Sequence, residues 1–319
     1  MNYLGKVVIK VDLTSRSIRL MGATITISIL HKRADYLLDQ AFSLLRLYEK
    51  RFSANDEHSE LMRVNHAAGI QPVIVHPDLF ELIEFGKKHS LAPNSYLNIA
   101  LGPLVQTWRI GFEDAKVPTS EEIKHALAKI NPNFIELNKE KSSVFLKQTG
   151  MKIDLGALAK GYIADKISTF LKEHGVTSAL INLGGNILTI GLNEVNNRFW
   201  RIGIQNPKLP RGNNLALLSL QDKSVVTSGI YERKLQTKDR VYHHIFDQHT
   251  GYPIDNQLAS LTIVSDKSVD GEIWTTRLFG MTPASILEKV EKENDIEAFI
   301  ITEDNQFFYS SGLTPEILP

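Results

Sequence analysis

Cysteine is absent from the 319 residues. That excludes a disulfide framework, thiolate metal ligands, a cysteine nucleophile and a lipid-modified cysteine. Excess charge is lacking too, with Lys+Arg and Asp+Glu at 36 each. A balanced chain is a poor electrostatic trap for nucleic acid or anionic membrane. No window approaches the roughly 20 apolar residues of a membrane span. The opening MNYLGKVVIKVDLTSRSIRL alternates and carries charge, unlike the apolar run of a signal peptide. The chain as given is therefore expected to be cytoplasmic; if it is a trimmed mature form, it is extracytoplasmic. Neither a P-loop nor a Gly-x-Gly-x-x-Gly fingerprint occurs, which argues against a dinucleotide oxidoreductase.

What is present is enough for a substantial core, 43% of residues being hydrophobic. Residues 6–30 read as two strands, KVVIKVDL and ATITISIL, with TSRS turning between them. Leu37, Leu38, Ala41, Leu44, Leu45 and Tyr48 follow helical spacing, and residues 51–56 read as a polar loop. Ser59 is placed to cap a short helix ending at Gly69, and residues 77–89 form a second amphipathic helix. A loop over LAPNSYLNIALGPLVQTW follows. Thr119-Ser120-Glu121-Glu122 opens a further helix, with acids in its first turn.

IDLGALAKGYIADKISTFLKEHG reads as a glycine turn into a long helix ending at Gly175. SALINLGGNILTIG is a strand, a Gly-Gly turn and a strand. Strand-like runs then recur to LASLTIV, before helices from about Gly271 and over residues 283–294, and two final strands. Irregular alternation and frequent hairpins predict an α+β fold of mainly antiparallel sheets flanked by helices. One domain over residues 1–319 is expected, with a weak boundary signal near 116–120.

Chemistry concentrates in residues 225–253, VVTSGIYERKLQTKDRVYHHIFDQHTGYP. Side chains alternate across a strand, so His243 and His244 point to opposite faces. One imidazole then enters a site while the other stays in solvent, or the segment is a His-rich hairpin without chemistry. GALAKG puts Lys160 at a helix N-terminus, which suits a phosphate, with Asp154 at the preceding strand end. An ordinary strand-to-helix connection accounts for it as well. Glu272 and Thr276, four apart, share a helix face. Carboxylate plus hydroxyl is a partial shell for Mg²⁺ or an ordinary solvent pair.

Taken in order, MGATITISI, FSANDEHSELMRVN, NIALGPLVQTWRIGF, IDLGALAKGYIADKI, ALINLGGNILTIG, VTSGIYER, YHHIFDQHTGYPI and EIWTTRLFGM resemble the ApbE family of FAD:protein FMN transferases. The resemblance spans residues 21–281. It implies an ApbE-like, T-fold-related architecture and Mg²⁺-dependent transfer of the FMN half of FAD to a Thr or Ser hydroxyl of a target flavoprotein, with release of AMP. By resemblance, Mg²⁺ falls to Glu272, Thr276 and the carbonyl of Ala157. Met21, Asn55, Tyr96, Leu97, Asn98, Asp154, Lys160 and Ile245 would contact FAD. His244 is the candidate base for the acceptor hydroxyl, expected to titrate near neutrality, and His243 is structural.

The chain departs from the family pattern at four places. Glu272 stands for the usual Asp, and Thr275 for a frequent second acid. Asn55 replaces an aromatic common in relatives, and Gln248-His249 replaces Pro-Arg. The alternative within the same chemistry is an FAD pyrophosphatase giving FMN and AMP. The alternative from another class is a non-catalytic FAD-binding protein.

Overall fold

The computed structural model describes residues 12–319. Strands β1 (Leu13–Leu20) and β2 (Ala23–Leu30) meet through a two-residue turn at Met21 and Gly22. Both turn residues have positive φ, 50° and 71°, the left-handed geometry of a tight hairpin. The turn expected at TSRS is strand instead. Ser15 and Ser17 reach across the pair to Ser28 and Thr26, so polar groups that resemble a turn are cross-strand partners. The earlier part of the expected strand, residues 6–11, lies outside the described residues.

Next come α1 (Ala34–Phe52), α2 (Glu60–His66), β3 (Val73–Ile74), α3 (Pro77–Ser90), α4 (Gly102–Trp108) and α5 (Ser120–Leu127). Helix α1 outruns the sequence reading because Tyr48 and Phe52, one turn apart, stack at 5.4 Å and are both buried. Ser59 caps α2 by accepting from Met62 N. Thr119 and Glu122 form a reciprocal capping box on α5. Helix α4 replaces part of the expected loop. Pro103 sits in its first turn, where a missing N–H costs nothing.

The chain continues through β4 (Ile135–Asn138), β5 (Ser143–Leu146), α6 (Ala159–Glu173), β6 (Ala179–Leu183), β7 (Asn186–Ile190), β8 (Trp200–Gln205), β9 (Asn214–Leu220) and β10 (Ser224–Gly229). A short hairpin of β11 (Lys234–Gln236) and β12 (Val241–His243) precedes β13 (Leu258–Ser265), α7 (Ser268–Leu278), α8 (Pro283–Val290), β14 (Ile296–Thr302), β15 (Phe307–Tyr309) and β16 (Glu316–Ile317). Helix α7 starts three residues before the expected Gly271. Asp165, on α6, accepts from the N–H groups of Ser268 and Val269 and so caps it from a distance. Helix α8 stops at Val290, short of the expected Asn294.

An eight-stranded sheet, in the order β1-β2-β6-β7-β10-β13-β14-β15, organises the molecule. Every neighbouring pair in it is antiparallel, in agreement with the fold class read from the sequence. Along β14, Ile296, Ala298 and Ile300 join a cluster with Leu278, Phe279 and Ile286 of the α7–α8 region. Phe299 and Ile301 alternate to the other face, against Trp200, Ile202 and Leu218 of the β8–β9 layer. With both faces covered, all eight residues of β13 are buried, which is why LASLTIVS lacks a polar face. Helices α1 and α6 cover the sheet further along, over Ile25, Ile27, Ile181 and Ile190.

Residues 116–120 join α4 to α5, which share one apolar cluster through Leu104, Trp108, Ile123 and Ala126. Among the described residues, no helix is long and apolar enough to cross a membrane.

Candidate active site

The N-terminus of α6 is set by a clamp from far away in sequence. Asn65, buried on α2, grips the backbone of Ile153 with both side-chain atoms, Oδ1 accepting at 2.7 Å and Nδ2 donating at 3.0 Å. The strand expected at IDL is not formed; this stretch makes only an isolated bridge, Lys152 to Leu101, and Asp154 N donates to Ile99 O, which holds it on its other side. Asp154 Oδ1 then accepts from Gly156 N at 2.7 Å and shapes the turn into α6. Burial pushes the Asp154 carboxyl above its usual range, opposed by the Gly156 N–H and by the charge of Arg233. No side chain caps α6; Ala159 N donates instead to Leu155 O, and the Gly161 N–H is taken by Glu272. Lys160 lies in that first turn.

Helix α7 packs against α6 at Gly161. A Cβ there would stand 2.5 Å from Ser268 O and 2.7 Å from Glu272 Cγ. The missing methyl lets the two helices approach until Lys160 acts electrostatically on Glu272. Glu272 is buried, and its Oε1 accepts from Asn186 Nδ2 at 2.8 Å. Asn186 Oδ1 accepts in turn from Ser268 Oγ at 2.6 Å. Burial raises the Glu272 pKa, while Lys160, Asn186 and the Gly161 N–H hold it down.

Glu272 forms a hydrogen bond with a neutral amide, and among the described residues it has no cationic partner at ion-pair distance. A buried carboxylate so placed suits a cation. Thr276, half-buried, follows one helical turn later. Thr275 donates to Glu272 O and is consumed by the helix. Ala157 stands in the turn feeding α6. No cluster of three acidic, His or Cys side chains occurs among the described residues, so any ion here relies on hydroxyl, carbonyl and water oxygens beside one carboxylate.

The expected alternation does not apply, because β12 ends at His243 and His244 lies in the bend that follows; both residues are half-buried, so neither stays in solvent. His243 Nε2 donates to Ile254 O at 2.8 Å while its Nδ1 accepts from Ile245 N. Its ring also packs edge-on to Phe279. Both nitrogens are used, so His243 is structural. His244 Nδ1 is buried without a partner. Burial, then Arg233 and His243, push the His244 pKa down to about 4. The expectation of titration near neutrality is thereby corrected: desolvation disfavours the imidazolium, and a nearby guanidinium adds to it. The ring is neutral at pH 7 and able to accept a proton.

The turn after His244 is anchored rather than loose. Asp247 Oδ1 accepts from His249 N, and Trp108 Nε1 donates to Gly251 O at 2.9 Å. Gln248 accepts from Asn98 Nδ2 and donates to Ser95 O. The residue that departs from the family pattern thus joins this turn to the 95–98 loop.

The expected FAD contacts divide into two groups. Asp154 and Lys160 lie at the α6 terminus, and Ile245 directly follows His244. Met21 occupies the β1–β2 turn, its N–H donating to Glu49 Oε1. Asn55 is exposed on the loop after α1. Leu97 and Asn98 are turned inward, 1% and 7% exposed. Asn98 holds Ile130 O, Gln248 and Ala100 N, so both residues face any ligand through their backbone. The half-buried Tyr96 ring covers Gly280, where a Cβ would lie 2.2 Å from it.

Sequence reading gave no role to Asn65, Gly161, Asp165, Asn186, Arg233 or Ser268, although each lies inside a segment that was singled out for other residues. Two surface clefts, of about 640 Å³ around Trp200 and about 490 Å³ around Gln106, include none of the expected site residues.

The sequence profile of the ApbE family matches residues 21–300. A Klebsiella pneumoniae (strain 342) protein named FAD:protein FMN transferase is 40% identical over 297 residues, covering 93% of this chain and 92% of that protein. A protein of the same name from Treponema pallidum (strain Nichols) is 34% identical over 292 residues, covering 88% and 81%. The crystal structure of the ApbE protein from Thermotoga maritima superposes with a TM-score of 0.86 at 22% identity, covering 94% of this chain and 97% of that one. The flavin transferase ApbE from Vibrio cholerae gives 0.83 at 24% identity, covering 95% and 98%. With the profile running through nearly all of the sheet and every element of the site, the chain belongs to the ApbE family.

Proposed function

We propose that this chain is an FAD:protein FMN transferase, moving the FMN half of FAD to a Thr or Ser hydroxyl of a target flavoprotein. The reading is carried by the α6–α7 junction, where Gly161 lets the buried Glu272 stand against the helix turn that carries Lys160, together with the buried, unpartnered Nδ1 of His244. The relatives named for this activity support it.

In the reaction, the acceptor oxygen forms a bond to the FMN-side phosphorus. The bond from that phosphorus to the bridging oxygen breaks, and its electron pair leaves with AMP. Such a transfer asks the protein chiefly for alignment and charge stabilisation. Lys160, in the first turn of α6, binds phosphate oxygens, with the positive end of the helix dipole behind it. Asp154 and Ile245 hold the nucleotide, with Met21, Asn55 and the Tyr96–Asn98 backbone as further contacts. His244 takes the hydroxyl proton on Nδ1, which has no other partner.

Glu272, Thr276 and the Ala157 carbonyl offer an oxygen-only donor set that fits Mg²⁺. When bound, Mg²⁺ supplies neutralisation of pyrophosphate charge. Asn186 and Ser268 keep Glu272 aimed across the helix pair.

Incubating the purified chain with FAD, Mg²⁺ and a target domain bearing a candidate acceptor threonine tests the proposal. Covalent flavin, with a mass gain of one FMN unit on the target, is expected. Release of free FMN and AMP alone would assign the chain as a pyrophosphatase. FAD binding indifferent to Mg²⁺ and without turnover would make it a flavin carrier.

A further inference from the structure

Arg233 lies between β10 and β11, with its arm laid across two glycine turns. Its Cδ is 2.9 Å from where a Cβ would stand on Gly111, and its Nη2 is 3.9 Å from that position on Gly22. Both glycines have positive φ, 94° and 71°. Gly22 follows Met21 in the β1–β2 turn, so the guanidinium reaches the strand pair at one edge of the site. From the same position its charge acts on Asp154 at the head of α6 and on His244. By contact the arm joins the β1–β2 turn to the turn after α4, two segments far apart in sequence.

The neighbouring arginines differ from it. Arg211 pairs with Glu232 at 3.6 Å and Arg240 with Asp255 at 2.8 Å. Arg233 has no carboxylate within ion-pair distance among the described residues, and its side chain is exposed. Asp154 lies outside ion-pair distance of it, its Oδ1 accepting from Gly156 N. A guanidinium presents paired N–H donors that match two phosphate oxygens, and it keeps its charge at any working pH.

We propose that Arg233 binds the pyrophosphate of FAD and stabilises the charge gathering on its oxygens during transfer. This deepens the transferase reading and rests on it. Arg233 approaches the phosphates from the β10–β11 side, opposite Lys160 on α6. Gly111 is the position whose missing side chain gives the arm its path, and Gly22 lies in ordinary contact with its tip. Riboflavin, which has the ring system but no phosphate, makes no use of Arg233.

The test compares equilibrium binding of FAD and of riboflavin, by flavin fluorescence, to the full chain and to Arg233→Ala, Arg233→Gln and Arg233→Lys. Loss of a charge-assisted contact predicts FAD binding weakened about 10- to 100-fold in Ala and Gln. Riboflavin affinity is expected to hold in both. Arg233→Lys is expected to fall between, because an ammonium keeps the charge but loses the paired donors. Equal losses for both ligands, or no loss for FAD, overturn the proposal. If Arg233→Ala does not fold, the Lys and Gln variants carry the same comparison. A wild-type chain that transfers FMN while all three variants bind FAD normally sinks the role of Arg233 alone. A wild-type chain that binds no FAD sinks the transferase reading with it.

Discussion

Gly161 and Glu272 meet across the α6–α7 interface, where a methyl on Gly161 would lie 2.7 Å from Glu272 Cγ. The contact fixes how near Lys160 stands to the buried carboxylate. It makes a helical glycine part of the site although it contributes no functional group.

Gly161→Ala is accordingly expected to destabilise the protein. In an ordinary exposed helix the same change stabilises by up to about 1 kcal/mol. Here the methyl also meets Ser268 O at 2.5 Å, and overpacking costs roughly 1–3 kcal/mol. Urea unfolding gives the sign. A higher midpoint would show that the helices part without penalty.

His244→Ala is expected to abolish transfer while leaving FAD affinity nearly intact. In the wild type, a base with its pKa near 4 is neutral above that pH and protonated below it. The acid limb of kcat/KM should therefore fall near pH 4, not near the 6.5 of free imidazole. A limb near 6.5 would refute the account of desolvation. Loss of FAD binding in step with transfer would make His244 a ligand contact instead of a base.

Asp165 caps α7, yet burial pushes its pKa up to about 6, with neighbouring Asp270 adding to the rise. A raised folded-state pKa means the native state holds the proton more tightly. That contribution is full below the unfolded value of 3.8 and is lost as pH rises through about 6. Asp165→Asn should flatten this part of the stability profile while Oδ1 still accepts one N–H. Asp165→Ala should cost about 1–2 kcal/mol by loss of the cap. Melting curves from pH 4 to 7 on both variants decide the matter. An unchanged slope in Asn removes Asp165 as its source.

Arg277 is 8% exposed, its guanidinium stacked 4.3 Å over Trp274 and its Nη1 3.3 Å from His89 Nδ1. Nε has no partner, and no carboxylate lies within ion-pair distance among the described residues. Burial and then Arg277 hold the His89 pKa down to about 4. Arg277→Met keeps most of the volume and removes a poorly compensated charge. Stability is expected to hold or rise by about 1 kcal/mol, and the His89 pKa to rise, observable by NMR titration. A loss above about 2 kcal/mol would mean that the stacking outweighs the desolvation.

Features that depend on three or four neighbouring residues were legible in the sequence. Ser59 and Thr119 cap helices as their spacing implied. Local chemistry misled where one residue type serves two purposes, as at TSRS, whose hydroxyls pair across a hairpin instead of turning one. Gln248 stood out as a departure, but its bond to Asn98 spans 150 positions and had no local trace.

The amino-acid sequence determined most of the helices and strands, the antiparallel α+β class and the family, because periodicity, capping and motif order are written along the chain. The tertiary structure alone decided that Asn186 holds Glu272, that Asn65 clamps the backbone just before Asp154 and that burial pushes the His244 pKa down. Each depends on burial or on partners more than 80 residues away. A desolvation cost belongs to the packed interior, and the residue that bears it does not reveal it in sequence.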